Sequence, residues 1–415
     1  MVSNGAGTGG VNIETLSYGM SARSLQGAPR GLKLDDSALL NLGLSVAAGF
    51  DSNVFYSRDA HSSPVLTVTP VAALSNAERG GARPSGVYYD LSAALQYREY
   101  LSSDTAVKGQ RAINPSAGGT LEFSSGQTLS LSITESFNRL KDPPYTPSPS
   151  GILRDHNMAG LQLKVAPNGG RFQIIGRYSN VLDIYEQNPY SRNNNMGNEL
   201  VLDMSWRWLP KTALYVQAAQ GMITYLDSTT TQRGSYPLKA ILGLRGLLTP
   251  KLALNVAGGY TNGFYSSGGA NPTGFGAVAL AAEVMYTVSA LNEAGIGYRH
   301  DIRNSPQLGD FYNYDAVYIA FRQLVAGRVS TMLYGRFENR TFHAKGAAGL
   351  AGDAEGRVDQ FFMAGLSADY FLTELFYFGV FASLDGNRTN RSLAEPAPGV
   401  GYTKFQALGR LGIVY

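Results

Sequence analysis

"NELVLDMSWRWLPKTALYVQA", residues 198–218, decides the fold. Leu200, Leu202, Met204, Trp206 and Trp208 fall on one side of an extended chain, with Glu199, Val201, Asp203, Ser205 and Arg207 on the other. The period is two, that of a strand, and not the 3.6 of a helix. Both tryptophans of the chain stand here, just ahead of a Pro-Lys-Thr turn. A soluble aromatic core gives no reason to place the largest rings beside a turn. A strand crossing a bilayer does, because amphipathic rings settle where hydrocarbon meets headgroup, with their polar edge wet.

The same alternation recurs along the chain. In "RVSTMLYGRFENR" Arg328, Ser330, Met332, Tyr334, Arg336, Glu338 and Arg340 oppose Val329, Thr331, Leu333, Gly335 and Phe337, and "KFQALGRLGIVY" reads likewise to the last residue. About eighteen such segments run from 40–55 to 401–415. Their connections alternate in kind. "SSGQ" at 124–127, "LPKT" at 209–212 and "LTPK" at 248–251 are tight, whereas "KDPPYTPSPSGILR", "EQNPYSRNNN" and "HAKGAAGLAGDAEG" are long and rich in Gly, Pro, Ser and Asn. Short periplasmic turns in alternation with long outward loops are the pattern of an outer-membrane β-barrel. The connection at 78–86, "ERGGARPSG", departs from it.

Composition agrees. The 415 residues include 25 Tyr and 49 Gly, with only 16% charged side chains and a mean hydropathy of -0.11, so apolar and polar residues are finely mixed. There is no cysteine, which excludes a disulfide scaffold and suits an oxidising periplasm. A formal charge of +3 gives no ground for nucleic-acid binding. No apolar run has the length of a transmembrane helix, and the start "MVSNGAGTGG" reads as a mature terminus with an added Met and no signal peptide. The expected fold is therefore all-β: a transmembrane antiparallel barrel of about eighteen strands over 38–415, in contact with outer-membrane lipid and lipopolysaccharide. Residues 1–37, aperiodic and rich in Gly and Ser, form a flexible periplasmic segment or a plug.

Outward aromatics beside turns define a membrane girdle: Trp206, Trp208, Tyr286, Tyr370, Phe376 and Phe378. Facing inward, and so candidates for contact with a solute, are Arg98, Arg177, Arg207, Arg245, Arg299, Arg322, Arg336 and Arg340, interleaved with Tyr215, Tyr318, Tyr334 and Tyr377. Arginine forks suit the carboxylates of an acidic polymer and aromatic faces suit sugar rings. The plainer alternative is a wall of cross-strand ion pairs with tyrosines as filler. The loops at 140–153 and 343–356 are candidates for folding into the pore.

No metal site or cofactor is expected. His61, His156, His300 and His343 have no ligand spacing, and the acidic run with Asp353, Glu355 and Asp359 lacks that of a calcium loop. Enzymatic activity is not expected either: His300 faces outward as in barrel lipases, but no neighbouring strand offers an evident outward serine with an orienting carboxylate.

The stretches "WRWLPKTALYV", "LRGLLTPKLALNVAGGY" and "AAGFDSNVF" resemble the beta-barrel porin type two family, in particular the outer-membrane barrels found beside exopolysaccharide synthesis and export machinery, notably in myxobacteria. The resemblance implies a conduit for secreted polysaccharide, served by periplasmic export proteins. Leu411, Ile413 and Tyr415 resemble the terminal signal read by the barrel assembly machinery, although Gly409 and Gly412 depart from its pattern. A diffusion porin for small hydrophilic solutes and a structural barrel of an envelope or motility assembly are the alternatives.

Overall fold

Leu40, Leu42, Leu44, Val46, Ala48 and Phe50 alternate with Asn41, Gly43, Ser45, Ala47, Gly49 and Asp51, and the chain there runs as a strand with the first set exposed apart from half-buried Leu40 and most of the second buried. The computed structural model describes residues 31–34, 38–76, 86–125, 128–141, 153–186, 190–228, 230, 234–265, 276–289, 292–304, 311–343, 356–390 and 401–415. Eighteen long strands follow one another: β1 Leu39–Asp51, β2 Ser63–Ser75, β3 Gly86–Tyr100, β4 Ala112–Ser125, β5 Leu129–Leu140, β6 Arg154–Val165, β7 Phe172–Tyr185, β8 Asn195–Leu209, β9 Thr212–Tyr225, β10 Leu238–Thr249, β11 Leu252–Asn262, β12 Gly276–Ser289, β13 Asn292–Asn304, β14 Phe311–Val325, β15 Val329–His343, β16 Val358–Phe371, β17 Phe376–Thr389 and β18 Tyr402–Val414. Each pairs antiparallel with its sequence neighbours, and β18 pairs with β1 from Gln406↔Asp51 to Val414↔Gly43. The sheet is a closed barrel. Strands about 4.8 Å apart and tilted about 40° make an eighteen-strand ring on the order of 35 Å across.

Closure is stitched by the last residue. The Leu42 N–H donates to the Tyr415 carbonyl at 2.8 Å, and the Tyr415 N–H returns to the Leu42 carbonyl at 2.7 Å. Beyond that point β18 leaves the start of β1 without a neighbour. A two-residue strand, Leu32–Lys33, fills it, pairing with Leu40 and Leu39. Of the leader expected over 1–37, this piece belongs to the wall; residues 1–30 and 35–37 lie outside those described.

The short connections have recognisable turn chemistry. At 326–327 both central residues take positive φ, 51° for Ala326 and 67° for Gly327, in a turn closed by the Arg328 N–H donating to the Val325 carbonyl at 3.0 Å. In the turns at 250–251 and 372–375 a threonine does the same work twice. Thr249 Oγ1 accepts from the Leu252 N–H at 3.0 Å, and Thr373 Oγ1 accepts from the Phe376 N–H at 3.0 Å.

Two expected boundaries shift. β1 stops at Asp51 instead of continuing to 55, and β4 starts at Ala112 instead of 108, because residues 52–62 and 101–111 fold as structured loops. The second contains a single helical turn, Thr105–Lys108, capped by Asp104, whose carboxylate accepts from the Ala106 N–H at 2.8 Å. Most of the irregular 78–86 connection lies outside the described residues.

Pairing registers carry one face continuously round the ring. Trp206 pairs with Leu214 and Phe172, Leu242 with Val216 and Gly258, and Val380 with Ala368 and Gly409, all on the outer surface. This belt is apolar and exposed: Leu200, Leu242, Leu248 and Leu411 are each more than 60% accessible. So much contiguous hydrocarbon surface needs a lipid solvent. Arginine on the lipid face at mid-height costs about 2–4 kcal/mol. Leu242→Arg is therefore expected to lose that much in denaturant unfolding of the detergent-folded barrel, while Gln217→Arg, on the inner face one strand away, stays within about 0.5 kcal/mol of the parent. A loss at Gln217 with none at Leu242 would mean that the two faces have been exchanged.

Candidate functional site

The inner face is the candidate site. The ladder puts Arg98, Arg177, Arg207, Arg245, Arg299, Arg322, Arg336 and Arg340 on it, together with Tyr215, Tyr318, Tyr334 and Tyr377. Row by row the partners are inner-face residues: Arg207 pairs with Ala213, Ala213 with Arg245, Arg245 with Asn255 and Asn255 with Glu283.

Many of these cations already have a carboxylate. Arg245 Nη2 lies 3.4 Å from Asp203, Arg322 Nη2 lies 3.1 Å from Glu293, and Arg410 Nε donates to Asp369 at 2.7 Å. Towards the outward end the pairs become buried and clustered. Glu338, fully buried, accepts from Arg336 Nε at 2.6 Å and Arg340 Nε at 2.7 Å, with Arg303 at 3.8 Å. The Arg340 guanidinium also lies 4.4 Å from the centre of the Phe361 ring. Asp359 takes a two-pronged bond from Arg357, both contacts 2.7 Å, and a further one from Asn387 at 3.1 Å. The geometry is that of a cross-braced polar wall, and the pairing of Asp359 with Arg357 turns that carboxylate away from the calcium role considered for the 353–359 run; Asp353 and Glu355 lie outside the described residues.

The tyrosines have a shared posture that single-residue reasoning missed. Tyr215, Tyr318, Tyr334 and Tyr377 each lie across a glycine directly opposite on the next strand: Gly243, Gly297, Gly365 and Gly412. A Cβ added at these glycines would come within 2.4, 2.1, 2.2 and 2.2 Å of the respective ring. The rings therefore lie against the wall and shield bare backbone, the packing of an aromatic over a cross-strand glycine. Hydroxyls fix three of them: Tyr215 donates to Asn255 at 3.0 Å, Tyr318 donates to Glu283 at 2.7 Å, and Tyr377 is hydrogen-bonded to Ser45. As solute contacts these rings offer an edge and one face, not a free-standing plate. Gly412, out of place for a terminal assembly signal, is the seat of Tyr377.

The outward mouth is narrowed from one side. Val54, in the β1–β2 loop, and Val107, in the β3–β4 loop, are 1% exposed and pack with Val65 and Tyr100 of the inner wall, with Leu408 against them. Asn53 Nδ2 holds the Thr403 carbonyl at 3.1 Å, Lys404 binds Asp51 at 2.9 Å with its ammonium 3.8 Å from the Tyr56 ring centre, and Lys141 Nζ holds the Gly109 carbonyl at 2.7 Å. Apolar Val54, Phe55 and Val107 in stretches that ought to be wet were the sequence signal. The loops named in advance, 140–153 and 343–356, lie almost wholly outside the described residues.

Trp206, Trp208, Tyr286, Tyr370, Phe376 and Phe378 stand on the outer face next to the short turns, with the Tyr370 and Phe378 rings 5.4 Å apart. Leu411, Ile413 and Tyr415 also face out along the closing seam. His300 faces out too, and here the register supplies the orienting carboxylate that the sequence did not reveal: Asp315 Oδ1 lies 2.8 Å from His300 Nδ1 and accepts from the Tyr298 hydroxyl at 2.6 Å. The outward residues beside His300 on β12 are Val278, Leu280 and Ala282, so this dyad has no serine there.

No protein-family profile matches the chain, and no curated protein has significant sequence similarity to it. Among solved structures, OccAB4 from Acinetobacter baumannii is 11% identical, over 91% of this chain and 98% of that one, with a TM-score of 0.47. OpdQ from Pseudomonas aeruginosa is 14% identical over 91% and 98%, TM-score 0.44. The siderophore receptor PirA from Pseudomonas aeruginosa is 8% identical over 91% and 80%, TM-score 0.44. The beta-barrel porin type two family expected from the sequence motifs is thus not matched by a family profile.

Gly365→Ala is expected to lift the Tyr334 ring and destabilise the detergent-folded barrel by about 1–3 kcal/mol, whereas Gly176→Ala, where an added Cβ meets nothing within 4 Å, is neutral; thermal unfolding compares them. Glu338→Gln strips the shared carboxylate from its arginines and should cost about 3–5 kcal/mol in the same assay. A neutral outcome would show that the cluster is wet and unstrained.

Proposed function

We propose that this barrel is a channel of the bacterial outer membrane for hydrated polar cargo, and that the cargo is a secreted exopolysaccharide. The observation that carries the channel reading is the inversion of a soluble protein: apolar residues form the exposed outer belt, while Asp, Glu, Arg and Lys line the inside of a closed ring too wide for side chains to fill. A water-filled passage is the ordinary consequence of such a lining. The polysaccharide reading draws on the arginine-rich wall, on tyrosine edges along it, and on the resemblance of the "WRWLPKTALYV" and "LRGLLTPKLALNVAGGY" turns to export-associated barrels.

In this reading the barrel supplies a passive path. Direction comes from polymer synthesis and from periplasmic export proteins docked at the short-turn end, and insertion is by the barrel assembly machinery acting on the terminal strand. The loops at 52–62 and 101–111 limit the outward mouth on one side.

Reconstituted in a planar bilayer, the barrel should give stepwise ionic currents. In the native cell, deletion should abolish surface polysaccharide while leaving its synthesis intact. Currents with unchanged surface polymer would make the protein a diffusion porin. A silent barrel with unchanged polymer would leave a structural role in the envelope.

A further inference from the structure

At the short-turn end of β6 to β11 cations outnumber acids. Lys164, Arg177 and Arg207 face the lumen, and Arg171, Lys211 and Lys251 stand in the adjoining turns. Among the described residues no carboxylate lies within ion-pair distance of any of the six. The inward acids of this sector, Glu199 and Asp203, stand near enough to Arg177 to act on it electrostatically, and Asp203 lies 3.4 Å from Arg245, which leaves Lys164, Arg171, Arg207, Lys211 and Lys251 as the surplus. Across the barrel, at the same end, Arg322 and Arg410 are held by Glu293 and Asp369.

The turns bring several of these cations to one rim. The Arg207 N–H donates to the Arg171 carbonyl at 2.7 Å, and an added Cβ at Gly170 would lie 3.4 Å from the Arg207 guanidinium, so Arg207 reaches back to the rim. The Leu247 N–H binds the Lys211 carbonyl at 2.9 Å, which ties that turn to the strand carrying Arg245. Strands about 4.8 Å apart spread this sector over roughly 25 Å of rim. Packing like charges this closely is self-repulsive, and a low-dielectric wall lined by one sign concentrates the opposite ion.

We propose that this arc is the capture site where anionic groups of the cargo, carboxylates or phosphates carried on a polymer, first meet the channel from the periplasm. The inference rests on the channel reading and adds to it a charge class and a side. Rim charges alone would suit the headgroups of the inner leaflet. Lys164, Arg177 and Arg207, however, point into the lumen and continue the arc along the path a solute would take, out of reach of lipid. Arginine offers paired donors matched to a carboxylate or phosphate, and the lysines add mobile point charge.

The test is binding of fluorescent oligogalacturonate to the detergent-folded full chain, with a neutral dextran oligomer as control, for the parent and for two quadruple variants. One combines Lys164→Gln, Arg171→Gln, Arg207→Gln and Lys211→Gln. The other removes the same charge from the opposite end through Arg58→Gln, Lys108→Gln, Arg111→Gln and Arg192→Gln. The first variant should weaken binding at least tenfold and the second less than twofold. Raising salt should weaken parent binding steeply, and dextran should bind none of them. In bilayers, oligogalacturonate added at the short-turn side should block the parent current, with an association rate at least tenfold higher than for the first variant. Equal binding by parent and first variant, or an equal loss in both variants, overturns the proposal. So does displacement of the probe by phosphatidylglycerol in the micelle, which would assign the arc to lipid. Arc-dependent binding to a barrel that carries no current would uphold the capture site and remove the channel reading; current without arc-dependent binding would do the reverse.

Discussion

A backbone N–H or C=O left unpaired in hydrocarbon costs several kcal/mol, and a strand offers such groups along its whole length. Every other feature of this molecule depends on meeting that demand. Eighteen strands satisfy one another in sequence, and the ring closes only because β18 reaches back to β1, where Leu42 and Tyr415 exchange their bonds. The pairing of Leu32–Lys33 with the start of β1 extends the same logic by two residues. Once closed, the sheet has an inside and an outside, and the alternation of side chains assigns every residue to one or the other.

Within the ring, charge is handled mostly by pairing. Glu338 with its arginines and Asp359 with Arg357 and Asn387 are polar clusters in which each carboxylate answers more than one donor. Removing charged groups from water is costly unless such partners are in place. The tyrosines answer a different need. Glycines on an inner wall leave backbone exposed and strands loosely packed, and a ring laid over each from the neighbouring strand restores the contact. Packing against the wall therefore takes the larger share of each tyrosine surface.

The two ends differ. Outward, the β1–β2 and β3–β4 loops turn apolar residues onto the inner wall and are anchored by Asn53, Lys141 and Lys404. At the short-turn end, one sector carries more cations than acids. With a packed outward rim and a positive sector at the short-turn rim, the ring is polarised from end to end.

From the sequence alone, the period of two, the alternation of tight and long connections and the tryptophans beside a turn were sufficient for the barrel, its strand number and the face of each lining residue. The reason is physical: in lipid the strand alternation admits few alternatives, so a local pattern has a global meaning. Which partner each charged side chain would find was not legible, since Glu338 and Arg303, Asp203 and Arg245, or Asp315 and His300 become neighbours only through register across strands far apart in the chain. The same holds for Gly412 under Tyr377 and for the inward fold of 52–62. Periodicity states the face a residue takes, and only closure with a fixed register decides what it faces.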